Sequence, residues 1–590
     1  MCGIVGQINK NAPINPGILE KMRDTLYHRG PDDSGLYISH DKLTGLGHRR
    51  LSLLDLSPLG KQPLANEDGS VQVVVNGEIY NYLELKKDLE SKGHKFSSNS
   101  DSEVIVHGYE EWGQEVLLKL KGMFAFGIWD EAKKQLILAR DRFGIKPLYY
   151  IKEKDKFIFA SEIKAIIANK EIEKKIDYSS VCDFMVYRYV PSPKSIWANI
   201  KKLPPANMLI LKKDSQPEIK RYWKPHIANH KIPEKEAVDQ VNELLTRSIK
   251  THTMGDIPIG SFLSGGYDSS ALIYYMNKAK YPTSTFSIGF ENWNESEHQY
   301  AELVAKKFGT HHHSKIIGPS DLSLVETLAY FYDEPIADIS IIPTFEVSKM
   351  ASENVKAVLS GEGADEIFGG YSWHKSYYAL HQKTSIWQNL TSWGLAKNPV
   401  IHYAEAMAMG KFDSVLLKEL LHNDLHSYIP ENPNWFYQKK VSKCTPIKTF
   451  QLLDISTFMG ELVLTKIDRA SMANSLEVRV PFLDHELVEY LLGLHEQVYY
   501  KKGITKYLLR ENIKGNMPRK IMNRTKQGFV GPDEYYQNYN WYKEVLLDGL
   551  LVSQQIVKRE FINQLLKKCD HWRLWKILIL EKWAQTWFLY

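Results

Sequence analysis

The chain has 590 residues, 43% hydrophobic and 25% charged, with a formal net charge of +5. That length is too great for one hydrophobic core and predicts two large domains, with three as the alternative, while the small charge gives no reason to expect nucleic acid as a partner. No stretch approaches the ~18 uncharged apolar residues that cross a bilayer, and Met1-Cys2-Gly3-Ile4-Val5-Gly6-Gln7 lacks the basic-then-apolar order of a secretory signal, so no membrane is expected.

Four cysteines, Cys2, Cys182, Cys444 and Cys569, are scattered without a CxxC pair. This argues against a zinc site or a disulfide framework and fits a cytoplasmic protein. Residues 1 to about 210 carry short β-like runs (71–75, 122–129, 135–139, 157–160) separated by Gly, Asn and Asp clusters. A proline-bearing stretch follows, and the polar segment 212–236 reads as a connector.

From there the pattern becomes strand, glycine loop, helix. Residues 257–263 form an apolar run before Ser264-Gly265-Gly266, and a helix is expected over 268–278. Residues 285–290 and 355–359 read as further strands, the second ending in Ser360-Gly361-Glu362-Gly363. Alternating strands and helices predict a parallel, doubly wound sheet, which binds ligands at the carboxyl ends of its strands. Beyond residue 450 the chain reads as mainly helical, and the tryptophan-bearing stripe of the last segment reads as a packing helix.

Cys2 follows the initiator methionine. Removal of Met1 would leave one residue with a thiol and a free α-amine, whose reference pKa of about 7.7–8.0 lets it take the thiol proton. Alone, Cys2 reads more readily as a small buried hydrophobe. Asn76-Gly77 offers a side-chain amide and a backbone N–H as oxyanion donors, although Asn-Gly is also a strong hairpin signal. Arg50 could grip an amino-acid carboxylate in a bidentate fork and Asp101 could pair with its ammonium. In the loop at 264–270, glycines and helix-start N–H groups suit phosphates, and Asp268 can ligate Mg²⁺; the loop lacks the lysine pattern of the usual P-loop. His311-His312-His313 is read as structural or substrate-side rather than as a metal site, because adjacent residues of an extended segment face opposite ways.

Several motifs in order carry a resemblance. Met-Cys-Gly-Ile-Val-Gly, His28-Arg29-Gly30-Pro31-Asp32, Gly47-His48-Arg49-Arg50-Leu51-Ser52, Val75-Asn76-Gly77-Glu78-Ile79-Tyr80-Asn81 and Ser100-Asp101-Ser102-Glu103 resemble the N-terminal-nucleophile glutaminase domain of asparagine synthetases. Ser264-Gly265-Gly266-Tyr267-Asp268-Ser269-Ser270 is similar to the pyrophosphate loop of ATP pyrophosphatases. Residues 358–371, 466–472, 477–484 and 503–510 look like the synthetase domain of the same family.

The resemblance implies an α+β sandwich of antiparallel sheets over 2–210, an α/β adenylating domain over 235–530, and a helical tail over 531–590 packed on the latter. It implies that Cys2 attacks glutamine, that Asn76 and Gly77 form the oxyanion hole, and that Arg50, Leu51, Ser52, Leu53, Leu54, Glu78 and Asp101 hold glutamine. It places Leu263, Ser264, Gly265, Gly266, Asp268, Ser269, Ser270, Ile288, Ser360 and Gly361 around ATP and Mg²⁺ on Asp268 and Asp365. Glu362 would assist the acyl-adenylate, and Lys506 would neutralise charge.

The implied reaction amidates a carboxylate, aspartate first, with ammonia passed between two sites. Tyr267 and Ile339 depart from the family pattern, which keeps a uronic acid or a biosynthetic intermediate open as the acceptor. A catalytically silent scaffold is a third reading, opposed by the intact Cys2, Asp268, Asp365 and Lys506. The oligomeric state stays open, a homodimer being one option.

Overall fold

The computed structural model describes residues 2–213, 215–382, 398–501, 503–524 and 528–588. The N-terminal half holds two six-stranded sheets. One contains β1 (Gly3–Asn9), β2 (Asp33–Ile38), β3 (Thr44–Arg50), β8 (Tyr149–Lys152), β9 (Lys156–Ala160) and β10 (Ile200–Lys202), in the order β10-β8-β9-β1-β3-β2. The other contains β4 (Leu64–Ala65), β5 (Val71–Ile79), β6 (Gly122–Asp130), β7 (Gln135–Arg140), β11 (Asn207–Lys212) and β12 (Glu218–Arg221), in the order β12-β11-β7-β6-β5-β4. The strand pairings in both sheets are antiparallel.

Strand alternation builds the layers. Ile4 of β1 and Val74 of β5 face each other's sheets, with Ala125 and Phe159 in the same cluster. Their neighbours point outward. Val5 packs with Leu19 and Met22 of α1 (Pro16–Asp24), while Val73 and Val75 pack with Leu85 and Leu89 of α2 (Tyr82–Ser91) and Val104 of α3 (Glu103–Trp112). The result is the expected α+β sandwich, helix layer on sheet on sheet on helix layer.

Two local readings change. The segment read as a connector contains β12, which pairs with β11 and adds an edge strand to the second sheet. Asn76-Gly77 does not turn a hairpin: Asn76 pairs with Ala125 and Gly77 with Phe124 inside the β5–β6 ladder.

The second half is built on a parallel sheet of β13 (Ile259–Phe262), β14 (Ser284–Phe290), β15 (His311–Ile317), β16 (Ala357–Leu359) and β17 (Glu477–Arg479), in the order β15-β14-β13-β16-β17. Because β13 and β16 are parallel neighbours, the loops that leave them emerge side by side at one edge of the sheet. The helix after the first loop, Tyr267–Lys278, starts one residue before the expected position.

His312 sits among the Thr285 and Ser287 hydroxyls and His313 stacks on Phe286, so the histidine run packs β15 on β14. The final helix, His571–Trp587, is buried along much of its circumference; Trp583 donates to the Asp333 carbonyl and Trp587 to that of Ala329. Among the described residues, no helix is long and apolar enough to cross a membrane.

Candidate active sites

Cys2 lies at the mouth of β1 and is 7% exposed. Its backbone nitrogen donates to Asn76 Oδ1 at 3.2 Å, and Arg29 Nε donates to its carbonyl at 3.1 Å. Asn76 is fully buried, and its Nδ2 has no hydrogen-bond partner among the described residues. A buried donor left this way costs about 1–3 kcal/mol, and an oxyanion donor needs that state. Gly77 is required by close approach, since a Cβ there would stand 2.1 Å from the Met123 carbonyl oxygen. Burial pushes the Cys2 thiol up, while the Leu51 backbone and the Arg50 guanidinium pull it back toward ionisation.

Arg50 is not the open fork that the sequence suggests. Its Nη groups donate to the carbonyls of Ser57 at 3.0 Å, Leu54 at 3.3 Å and Asp55, so the guanidinium shapes the 51–57 loop. Leu51 and Leu53 are buried against Met472 of the second half, and Ser52 and Leu54 are half-buried. Asp101 accepts the Ile79 N–H at 2.7 Å, and burial holds its carboxyl up at about 6. Glu78 is raised by burial and by Glu477 and Asp101, and it faces Arg479 at 3.4 Å.

At the second site the Lys506 ammonium lies 2.5 Å from Asp268 and 2.6 Å from Asp365. Burial would lower its pKa, yet the two carboxylates hold it above the ordinary lysine range. Asp268 comes from the first turn of Tyr267–Lys278 and Asp365 from the helix Ala364–Phe368. Lys506 is 3% exposed and adopts φ +54°. Gly370 makes room for it, since a Cβ there would stand 2.0 Å from Asp365 Oδ1 and 2.2 Å from Lys506 Cε.

The loop at 264–266 leads into the helix that carries Asp268. Gly265 has φ +72°, and a Cβ on it would meet Tyr300 Cβ at 2.5 Å. Ser264 and Ser269 hydroxyls lie 3.1 Å apart, and Ser270 is fully buried. Leu263, just past β13, and Ile288 within β14 are buried. Gly361 packs on the helix start, its would-be Cβ 3.1 Å from Asp268 Cβ, and Ser360 Oγ hydrogen-bonds to Glu362. Tyr267, the unusual loop residue, points away to the Met522 carbonyl at 2.6 Å under the Arg510 guanidinium.

The two sites are joined by charges whose roles the sequence reading did not identify. Arg479 faces Glu78 of the first site, and its carbonyl accepts the Ser360 N–H of the second at 2.9 Å. Deeper in the interface, Arg29 pairs with Glu162 at 2.7 Å and Asp468 at 2.9 Å, and Arg469 pairs with Glu162 at 2.7 Å and Asp333 at 3.3 Å. Arg524 Nη1 reaches the Ser264 carbonyl at 3.5 Å, with Nη2 on Glu297 at 2.6 Å. Arg29 and Arg479 stand inside the quoted motifs, but only the fold brings them to carboxylates hundreds of residues away.

The fold and these paired sites define a two-part enzyme of the amide-transfer class. Residues 1–223 match the family model described as glutamine amidotransferase domain, and residues 240–585 the one described as asparagine synthase. The chain belongs to the asparagine synthase family.

It is 34% identical to asparagine synthetase [glutamine-hydrolyzing] 1 of Bacillus subtilis, over 99% of this chain and 96% of that protein. It is 32% identical to a putative asparagine synthetase [glutamine-hydrolyzing] of Mycobacterium tuberculosis, over 94% and 91%. A putative asparagine synthetase [glutamine-hydrolyzing] 2 of Methanocaldococcus jannaschii is 38% identical over 64% of this chain and 77% of its own length.

Proposed function

We propose that the chain transfers the amide nitrogen of glutamine to the side-chain carboxylate of aspartate at the expense of ATP. The observation that supports this most is one chain carrying both Cys2 beside the buried Asn76 amide and Lys506 between Asp268 and Asp365, with Arg479 touching both sites.

In the first site the Cys2 thiol attacks the glutamine amide carbon. The α-amine freed by removal of Met1 takes the thiol proton and returns it to the leaving ammonia. Asn76 Nδ2 and the Gly77 N–H receive the oxyanion, and water then releases glutamate from the thioester. Asp101 and Glu78 hold the amino-acid ammonium, and the loop 51–54, braced by Arg50, closes over the carboxylate.

In the second site aspartate attacks the α-phosphate of ATP, giving aspartyl-AMP and pyrophosphate. Ammonia from the first site then gives asparagine and AMP. The 264–270 loop, with Leu263, Ile288, Ser360 and Gly361, surrounds the nucleotide. Glu362 assists formation and breakdown of the mixed anhydride. Asp268 and Asp365 supply two hard carboxylate ligands that already converge on one cation, the donor chemistry Mg²⁺ takes. When bound, the metal neutralises phosphate charge. Lys506 supplies a fixed positive charge at the same point.

The interface shields ammonia from protonation and the anhydride from water. The test is purified protein with ATP, Mg²⁺, glutamine and a panel of carboxylic acids, read as AMP and amide mass. Equal AMP and asparagine, with aspartate alone as acceptor, is expected; turnover of another acid in its place would refute the acceptor.

A further inference from the structure

We propose that Glu67, His94, His107 and Glu110 form a zinc-binding site on the outer face of the N-terminal domain, built from residues that have no part in either candidate active site.

One potential ligand atom from each of these four residues lies within 4.8 Å of the others; this is the one such group found among the described residues. His107 Nδ1 lies 3.4 Å from Glu110 Oε2 and 3.5 Å from Glu67 Oε2. His94 Nδ1 lies 3.8 Å from Glu110 Oε2 and 4.0 Å from Glu67 Oε1. Zn–N and Zn–O bonds of about 2.0–2.2 Å in a tetrahedron put neighbouring ligand atoms about 3.3–3.5 Å apart. A contraction of a few tenths of an ångström therefore completes the shell.

His107 supplies the second, independent observation. It is 1% exposed, yet neither ring nitrogen has a hydrogen-bond partner among the described residues. On its Nδ1 side the Glu67 and Glu110 carboxylates stand 3.4–3.5 Å away and out of hydrogen-bond alignment, a spacing that leaves room for an ion between them.

The surroundings have the form of metal-site support. His107 Nε2 lies 3.5 Å from Glu103 Oε1, and that carboxylate is fixed by the N–H and hydroxyl groups of Ser97 and Ser98. His94 Nε2 lies 3.7 Å from Glu111. A carboxylate stands on the Nε2 side of each ring, where closing to hydrogen-bond distance would hold the proton on Nε2 and leave the Nδ1 lone pair for the metal. The Asn66 amide holds Glu110 Oε1 at 2.7 Å, and the Lys95 N–H holds Glu67 Oε1 at 2.8 Å. The Phe96 ring closes the apolar side of His107. Two imidazoles with two carboxylates suit zinc, and the absence of a CxxC pair is irrelevant to such a set.

The site would clamp three pieces: the β4–β5 turn through Glu67, the chain after α2 through His94, and α3 through His107 and Glu110. β5 runs on to Asn76, and α3 begins just after Asp101. The ion would tie together, from their far ends, the two elements that carry the candidate glutamine residues.

The test uses untagged full-length protein. Zinc is counted by mass spectrometry as isolated; after chelation, binding is followed by titration with Zn²⁺ and with Co²⁺ as an optical reporter of tetrahedral geometry. One equivalent per chain, intense tetrahedral Co²⁺ bands displaced by Zn²⁺, and a higher melting temperature on zinc addition are expected. His94→Gln and Glu110→Gln, both at partly exposed positions, should each weaken binding on the order of 100-fold, and Glu111→Gln about 10-fold. Absence of stoichiometric metal in both the isolated and the titrated wild-type protein would overturn the proposal. So would unchanged affinity in folded His94→Gln and Glu110→Gln. If either variant fails to fold, the wild-type stoichiometry and Co²⁺ spectrum decide.

Discussion

Asn76 combines full burial, an amide oxygen on the Cys2 nitrogen and an Nδ2 without a protein partner. Removing that donor should leave glutamine binding nearly intact and lower kcat for glutamine hydrolysis by about 10²–10³ in Asn76→Ala; an unchanged kcat in steady-state glutaminase assays would remove the role. Asp101 gives a pH test. Burial holds its folded pKa at about 6, above the ordinary 3.8. Sign follows directly: this group's stability contribution is fully present below the unfolded value and is lost as pH rises through about 6. The proposed pairing with the glutamine ammonium needs the ionised form, so KM for glutamine should climb as pH falls below about 6. Ammonium-supported synthesis should not share that limb, and Asp101→Asn should abolish it.

At the scale of elements, the apolar runs and glycine loops were readable because strand alternation and the SGG signature are local. Asn76-Gly77 was ambiguous because the hairpin preference of that pair is local too, and only the β6 partner settles it. The sequence offers Arg50 as an open fork, but its engagement by three loop carbonyls depends on a fold that the motif does not encode. Lys506 stands at positive φ, a conformation that favours glycine, so its placement over Asp268 was legible only through the family motif. Gly370 makes this arrangement testable. Gly370→Ala drives a methyl into Asp365 and Lys506, and an ångström of displacement costs about 10²-fold. ATP–pyrophosphate exchange should fall by about that factor while glutaminase activity persists. Loss of both activities would assign Gly370 to folding.

Across the whole molecule, the halves are held by a buried network in which Arg29 and Arg469 face Glu162, Asp468 and Asp333. None of these pairings follows from spacing, since the carboxylates lie up to 439 residues away in sequence. Breaking such a network from one side leaves charges buried and costs about 3–5 kcal/mol. Arg29→Met should therefore lower the melting temperature and, in the fraction that folds, raise the ratio of glutamine hydrolysed to amide formed. An unchanged ratio would mean that the network only stabilises.

The proposed function makes one demand that neither half makes alone: nitrogen released at the first site must reach the second without mixing with solvent. Glutamine labelled with ¹⁵N in its side-chain amide, supplied with ATP, aspartate and an excess of unlabelled ammonium, measures this directly by the mass of the product amide. Predominantly ¹⁵N product is predicted. Product carrying the isotope ratio of the bulk ammonium would contradict the account.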